Sequence, residues 1–286
     1  MMPFPSAMMQ STTPQVGPAP IAFIGSKDIQ TSGTNQLLDA SYFGGTTPLG
    51  GLLFTTSNGE SAQPNASNVA ALSFGNLNAT FSFDRFLVNS NHGTAPTEVR
   101  RSGGINSTDN VIQNNPPGVY SARVQRIANG VSIENTVSLP PGGKIDVLCL
   151  HPTHCLNYDS NHIDLGTGTS PISVTLGWRP DFILFFTNCS NLASASSFFN
   201  ISAGAIIDDG SNKQRALSIA EGDAQSAGRP FATLSSAYSG LQITSPAGGI
   251  SWGLTAAITD TGFTVTPSAS TGSDAIIYVA VKTNGR

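Results

Sequence analysis

From Ile21 onward the chain is a succession of short apolar stretches, each closed by a turn signal, and no segment carries a 3.6-residue apolar stripe over three helical turns. The stretches include Gly51–Thr55, Phe81–Val88, Tyr120–Ile127, Ile145–Leu150, Phe182–Phe186, Ala216–Ile219, Phe263–Thr266 and Ala275–Val281. Alternation in Phe81-Ser-Phe83 and Phe263-Thr-Val-Thr266 is that of half-buried strands. Asn129-Gly130 and Thr261-Gly262 stand where hairpin turns are required. Many short strands joined by Gly- and Pro-rich turns lead to an all-β sandwich or barrel. Composition agrees: charged residues are only 10% of the chain, and Ser, Thr, Asn, Gly and Pro, which favour turns over long helices, take their place.

A weak internal repeat narrows the choice. Pro48 aligns with Pro180 and Leu52-Leu-Phe-Thr55 with Leu184-Phe-Phe-Thr187. Arg85-Phe-Leu87 aligns with Arg215-Ala-Leu217, Ile127–Ile133 with Ile258–Val265, and Ile145-Asp-Val147 with Ile277-Tyr-Val279. The pairings share an offset of about 130 residues and run in the same order through both halves, the mark of a tandem duplication. The expected organisation is an extended arm over 1–20, a first jelly-roll-like β-sandwich over 21–150, a linker over 151–165 and a second sandwich over 166–286. Phe54 and Phe186 are expected at equivalent core positions, as are Ile133 and Val265. Arg123 and Arg126 fall opposite Thr255 and Ile258, so the two units are expected to differ in their contacts.

The arm, Met1–Pro20, is punctuated by Pro and carries its apolar side chains in two clusters, Met1, Met2 and Phe4, then Met8 and Met9. Proline biases such a segment towards an extended chain, and methionine adapts to irregular surfaces. These five residues are the candidate partner-binding residues, expected to lie across a neighbouring subunit.

The remaining motifs point away from chemistry. The net charge is −4 with four scattered lysines, so no basic stripe exists for nucleic acid. The longest apolar run, Phe182–Phe186, is too short to span a membrane as a helix, and the first twenty residues have no charged or apolar signal regions. Three cysteines at irregular spacing make no disulfide framework. His151, His154, Cys155 and His162 cluster in the linker, but their spacing fits no zinc pattern. Gly249-Ile-Ser-Trp-Gly253 matches the expression of a nucleophile elbow around Ser251, yet a strand-like segment follows where a helix is needed. Asp208-Asp209-Gly210 is a surface turn by type, with too few further oxygens to complete a calcium site. No catalytic residue, cofactor or metal is expected.

Leu176-Gly-Trp-Arg-Pro-Asp-Phe-Ile-Leu-Phe-Phe186, Gln214-Arg-Ala-Leu-Ser218, Thr261–Val265 and Ile277–Lys282 together resemble a pattern of tailed-bacteriophage virion structural proteins. The resemblance covers about residues 166–286 and extends weakly to 40–150. It implies a β-sandwich used in virion parts, made in the host cytoplasm, and no catalytic site. The leading expectation is a capsid decoration or cement protein, itself a homo-oligomer and bound to the major capsid protein or other virion proteins. The alternative is a tail, collar or fibre component acting as an adhesin, with Tyr42, Tyr158, Trp178 or Trp252 exposed to stack on a glycan. A hydrolase is the third class, disfavoured for want of a site.

Overall fold

The computed structural model describes residues 22–28, 34–56, 70–77, 86–91, 100–104, 111–115, 118–137, 144–187, 194–195, 198–222, 230–243, 250–269 and 275–284. These residues are predominantly β-strand, with a single helical turn. The first half contains β1 (Ala22–Asp28), β2 (Thr34–Leu38), the single-turn helix α1 (Ala40–Phe43), β3 (Gly50–Thr56), β4 (Ala70–Leu77), β5 (Phe86–Asn91), β6 (Arg100–Gly104), β7 (Val111–Asn115), β8 (Gly118–Ile127), β9 (Gly130–Val137) and β10 (Lys144–Leu150). The second contains β11 (Cys155–Asp164), β12 (Ile172–Thr175), β13 (Phe182–Thr187), the two-residue β14 (Ser194–Ala195), β15 (Phe198–Ile207), β16 (Lys213–Gly222), β17 (Pro230–Ser235), β18 (Gly240–Ile243), β19 (Ile250–Thr259), β20 (Gly262–Pro267) and β21 (Ala275–Thr283).

The strands form four antiparallel sheets. In the first half the orders are β1-β10-β3-β4-β5-β6 and β2-β9-β8-β7; in the second they are β11-β21-β13-β15-β16-β17 and β12-β20-β19-β18. With β14 set aside, the two pairs of orders correspond strand for strand. β14 comes from the second half but pairs with β6, extending the first sheet by one short strand.

Alternation along the strands shows how the sheets stack. In β10, Ile145, Val147 and Cys149 face the smaller first-half sheet, packing with Val124, Val131 and Ile133. Leu148 and Leu150 of the same strand face the second half, packing with Phe186, Val279 and Val281. In β21, Ile276, Tyr278 and Ala280 join Trp252, Leu254, Phe263 and Val265 in the second unit's own core. Ile277, Val279 and Val281 face the first half. The molecule is therefore a four-layer stack, in which the two larger sheets sit in the middle and their strands β3, β10, β13 and β21 are covered on both faces. That is why Phe182–Phe186 and Ile276–Val281 read as unbroken apolar runs.

The hairpin turns do what their sequences require. Asn129 takes the left-handed conformation (φ 66°), and its side-chain oxygen accepts from Gly45 N at 2.7 Å. A Cβ on Gly130 would lie 2.0 Å from the Leu37 carbonyl oxygen, and one on Gly262 would lie 2.0 Å from that of Val174. Each glycine lets β9 or β20 approach the edge strand beside it.

Three sequence expectations need correction. Residues 151–165 are not a linker: after a turn at His151–His154, Cys155–Asp164 form β11 and pair with β21. Ile145 and Val147 do not match Ile277 and Val279, because the former face their own unit's core and the latter face the other unit. The register is one residue off, which in a strand swaps the faces; Ile145 and Val147 stand opposite Ile276 and Tyr278. Nor is there an insertion between Ile127 and Ile133 and their counterparts. Ile127 pairs with Gly130 as Thr259 pairs with Gly262, so Ile127 corresponds to Thr259 and Arg126 to Ile258. Leu52–Thr55 with Leu184–Thr187 and Phe86-Leu87 with Ala216-Leu217 hold in register, while Arg85 lies outside the described residues. Phe54 and Phe186 lie on the seam between units, while Ile133 and Val265 lie in the two unit cores.

Candidate interaction surface

The seam between the two central sheets joins equivalent positions. Leu52 pairs with Leu148 in the first sheet as Leu184 pairs with Val279 in the second; Gly50 with Leu150 matches Phe182 with Val281. Leu52, Leu148 and Leu150 from one unit, with Leu184, Val279 and Val281 from the other, line an apolar cavity of about 110 Å³. Beside it lies a polar bridge. Asn76 Nδ2 donates to Ser160 Oγ at 2.7 Å, and the Tyr158 hydroxyl donates to the Gly51 carbonyl at 2.9 Å while lying 3.0 Å from Ser160 Oγ. Asn76 and Ser160 are fully buried, so these bonds offset the desolvation of their polar groups. Burial pushes the Tyr158 phenol well above its ordinary value, which keeps it a donor. Its ring lies against Gly50, where a Cβ would come within 2.5 Å of it.

The same face of the second central sheet continues past the seam into solvent. Cross-strand register places Ile207 of β15 on the face of Phe182, Leu217 on that of Ala203, and Leu234 directly opposite Leu217. Ile207, Leu217, Ile219 and Leu234 are 47%, 44%, 41% and 74% exposed. The inward positions of β16 between them hold Ala216 and Ser218, both buried. They are small because the inner face is crowded: a Cβ on neighbouring Gly204 would lie 1.8 Å from the Ser239 carbonyl oxygen. Alternation is thus inverted here, with small residues inside and large apolar residues outside. The signal was present in Ala216-Leu-Ser-Ile219, which identifies a strand but not which of its faces is covered.

The sequence-flagged residues fall as follows. The arm residues Met1, Met2, Phe4, Met8 and Met9 lie outside the described residues. The aromatic residues considered for glycan stacking are not exposed platforms. Trp252 is 2% exposed in the second unit's core, and Trp178 packs partly buried on it. Tyr158 is held in the seam, and Tyr42 packs edge-on against Phe43 and His151. Each is placed by the apolar area of its ring, which a core rewards more than a surface does.

His151 is buried, stacked on Phe43 with ring centroids 5.6 Å apart. Its Nδ1 accepts from Thr153 N and its Nε2 donates to the Tyr42 carbonyl at 3.1 Å, so both nitrogens are used structurally. His162 instead contacts Asn161 and Asp164. Cys155 lies in the seam and Cys149 in the first unit's core; burial pushes their thiols up to about 11 and about 12, against nucleophilic use. Among the described residues no group of three or more His, Cys, Asp or Glu side chains could hold a metal ion.

Ser251 lies on β19, which runs straight on to Thr259 and turns into β20, so the helix that an elbow needs is replaced by strand. Asp208 accepts from Arg179 Nε at 2.6 Å, and Asp209 from Ser211 Oγ at 2.7 Å while pairing with Lys213. The two carboxylates are thus drawn to different partners. What the described surface offers is apolar contact area.

No protein-family model matches the chain, and no curated protein matches it.

Proposed function

We propose that the chain is a non-catalytic structural component of a virus particle, a decoration or cement protein on the head of a tailed bacteriophage, built by tandem duplication of one ten-strand sandwich. The observation that carries the reading is the strand-for-strand correspondence of the two halves, taken with the Gly177-Trp-Arg-Pro-Asp181 resemblance to virion proteins. Stacking two copies of one unit back to back gives a stiff body with a weakly charged surface, suited to packing many times over on a shell. Its partners are the major capsid protein and further copies of itself. The arm, with Met1, Met2, Phe4, Met8 and Met9, supplies attachment: an extended segment loses less entropy on docking than a flexible one, and its apolar contacts resist salt.

The test is co-sedimentation of purified protein with protein-depleted heads, with stoichiometry by mass spectrometry. The reading expects binding in numbers that scale with the capsid lattice, and loss of binding when residues 1–20 are removed from a chain that stays folded. A copy number of a few to a few dozen would make the protein a tail or collar part instead. Unchanged occupancy without residues 1–20 would remove the arm from the account.

A further inference from the structure

We propose that the exposed apolar strip formed by Ile207, Leu217, Ile219 and Leu234 is a self-association face, seated strip on strip against a second copy of this chain. The strip is not a by-product of folding. Beneath Leu217 and Ile219 the inner side of β16 holds the small Ala216 and Ser218, where the Ser239 carbonyl closes over neighbouring Gly204, so the large outward residues add nothing to the core beneath. Four of the six large hydrophobic side chains exposed among the described residues lie on this one face, on three adjacent strands. Large apolar residues grouped in this way mark a contact surface rather than scattered exposure.

The occupant follows from the seam. The strip is the outer continuation of a face that is already self-complementary, since within one chain it packs on its own counterpart, Leu52 and Leu150 against Leu184 and Val281. An isologous contact needs one patch that fits itself across a two-fold axis. Leu217 and Leu234, side by side on neighbouring strands, give such a patch its centre. Lys213, opposite Ile207, and Arg215, between that pair and Leu217, put polar side chains at the Ile207 end of the patch.

The inference rests on the reading of the protein as an assembling structural component, and its test is separate from capsid binding. Sedimentation equilibrium of the full chain over a micromolar range is compared with Leu234→Glu, Leu217→Glu and, as controls, Leu38→Glu and Leu156→Glu, whose side chains are 51% and 52% exposed elsewhere. The expected result is a concentration-dependent dimer that holds as salt is raised. Each strip substitution should raise its dissociation constant roughly 100-fold, as for a central apolar contact, and the controls should leave it unchanged. Circular dichroism confirms that each variant is folded. A wild-type chain that is monomeric throughout overturns the proposal, even if it still binds heads. So does hydrogen exchange that finds β16 and β17 protected until residues 1–20 are removed, because the chain's own arm would then be the occupant. Equal effects of strip and control substitutions overturn it as well.

Discussion

The two halves close the same end of the same architecture in different ways. In each, the hairpin between β8 and β9, or β19 and β20, must be tied to the segment that enters β3 or β13. In the second half Ile258 completes the apolar core at the hairpin. The tie is made outside by Arg179, which holds Asp208 through Nε (2.6 Å) and Nη2 (3.2 Å) and Asp260 through Nη1 (2.8 Å). In the first half the position of Ile258 is taken by Arg126, and the tie runs inside. Its Nη1 donates to the Pro48 carbonyl at 2.8 Å and to that of Leu49. Burial lowers the Arg126 pKa from its ordinary value, and its Nε has no partner among the described residues. The first half adds α1, whose N-cap Asp39 accepts from Tyr42 N and whose Phe43 fills the core. Topology sets where a brace is needed, while the local sequence decides whether it is a surface ion pair or a buried cation on carbonyls.

The largest effects should come from the paired core positions Leu53 and Phe185, which stand at equivalent points of β3 and β13 and face their own unit's core. Phe185→Ala should lower stability by about 3–5 kcal/mol and Leu53→Ala by about 2–5 kcal/mol, measured by denaturant unfolding. Because the seam is apolar and bridged by buried Asn76 and Ser160, both substitutions should shift one shared transition. Two separable transitions, each moved by only one substitution, would mean that the halves are independent bodies.

Next in size is the contrast between the braces. Arg126→Met should cost about 1–3 kcal/mol, since it leaves the buried carbonyls of Pro48 and Leu49 short of a donor. Arg179→Met should cost less, and the loss should shrink further in high salt, because its ion pairs are exposed to solvent. A larger loss at Arg179 would reverse the ranking of buried and exposed braces drawn here.

Much of this comparison was legible in the sequence wherever a turn or a strand-closing residue anchors the register. Leu52–Thr55 and Leu184–Thr187 align in register because Pro48 and Pro180 stand four residues before them and a threonine closes each run, and Gly130–Ile133 and Gly262–Val265 because the hairpin turn fixes them. Alignment slipped by one at Ile145 because β21 is apolar on both faces, so a shift leaves the hydrophobic match almost intact. β11 was hidden for the opposite reason. Cys155-Leu-Asn-Tyr-Asp-Ser-Asn-His162 has no apolar alternation: its seam face carries Tyr158 and Ser160, which are satisfied by hydrogen bonds rather than by greasy packing. The stacking of two sandwiches could not be read from periodicity either, since an unbroken apolar run shows that two faces are covered but not by what. The exposed strip went unseen because pattern alone assigns large residues inward.

The smallest effect probes the seam itself, where the halves are most alike but not identical. Leu148 and Leu150 face the cavity from the first unit, and the shorter Val279 and Val281 face it from the second. The pocket that these four side chains help to line has a volume of about 110 Å³. Val281→Ile adds one methylene to an apolar space and keeps the β-branched shape suited to a strand. Burying that group is worth about 0.8 kcal/mol, so the variant should be more stable than wild type by up to about 1 kcal/mol, read as a higher denaturant midpoint at unchanged slope. Val281→Ala should do the opposite, enlarging the void at a cost that grows with its volume. If Val281→Ile destabilises instead, the added group is meeting packed atoms, and the two faces of the seam fit each other more closely than their sequences suggest.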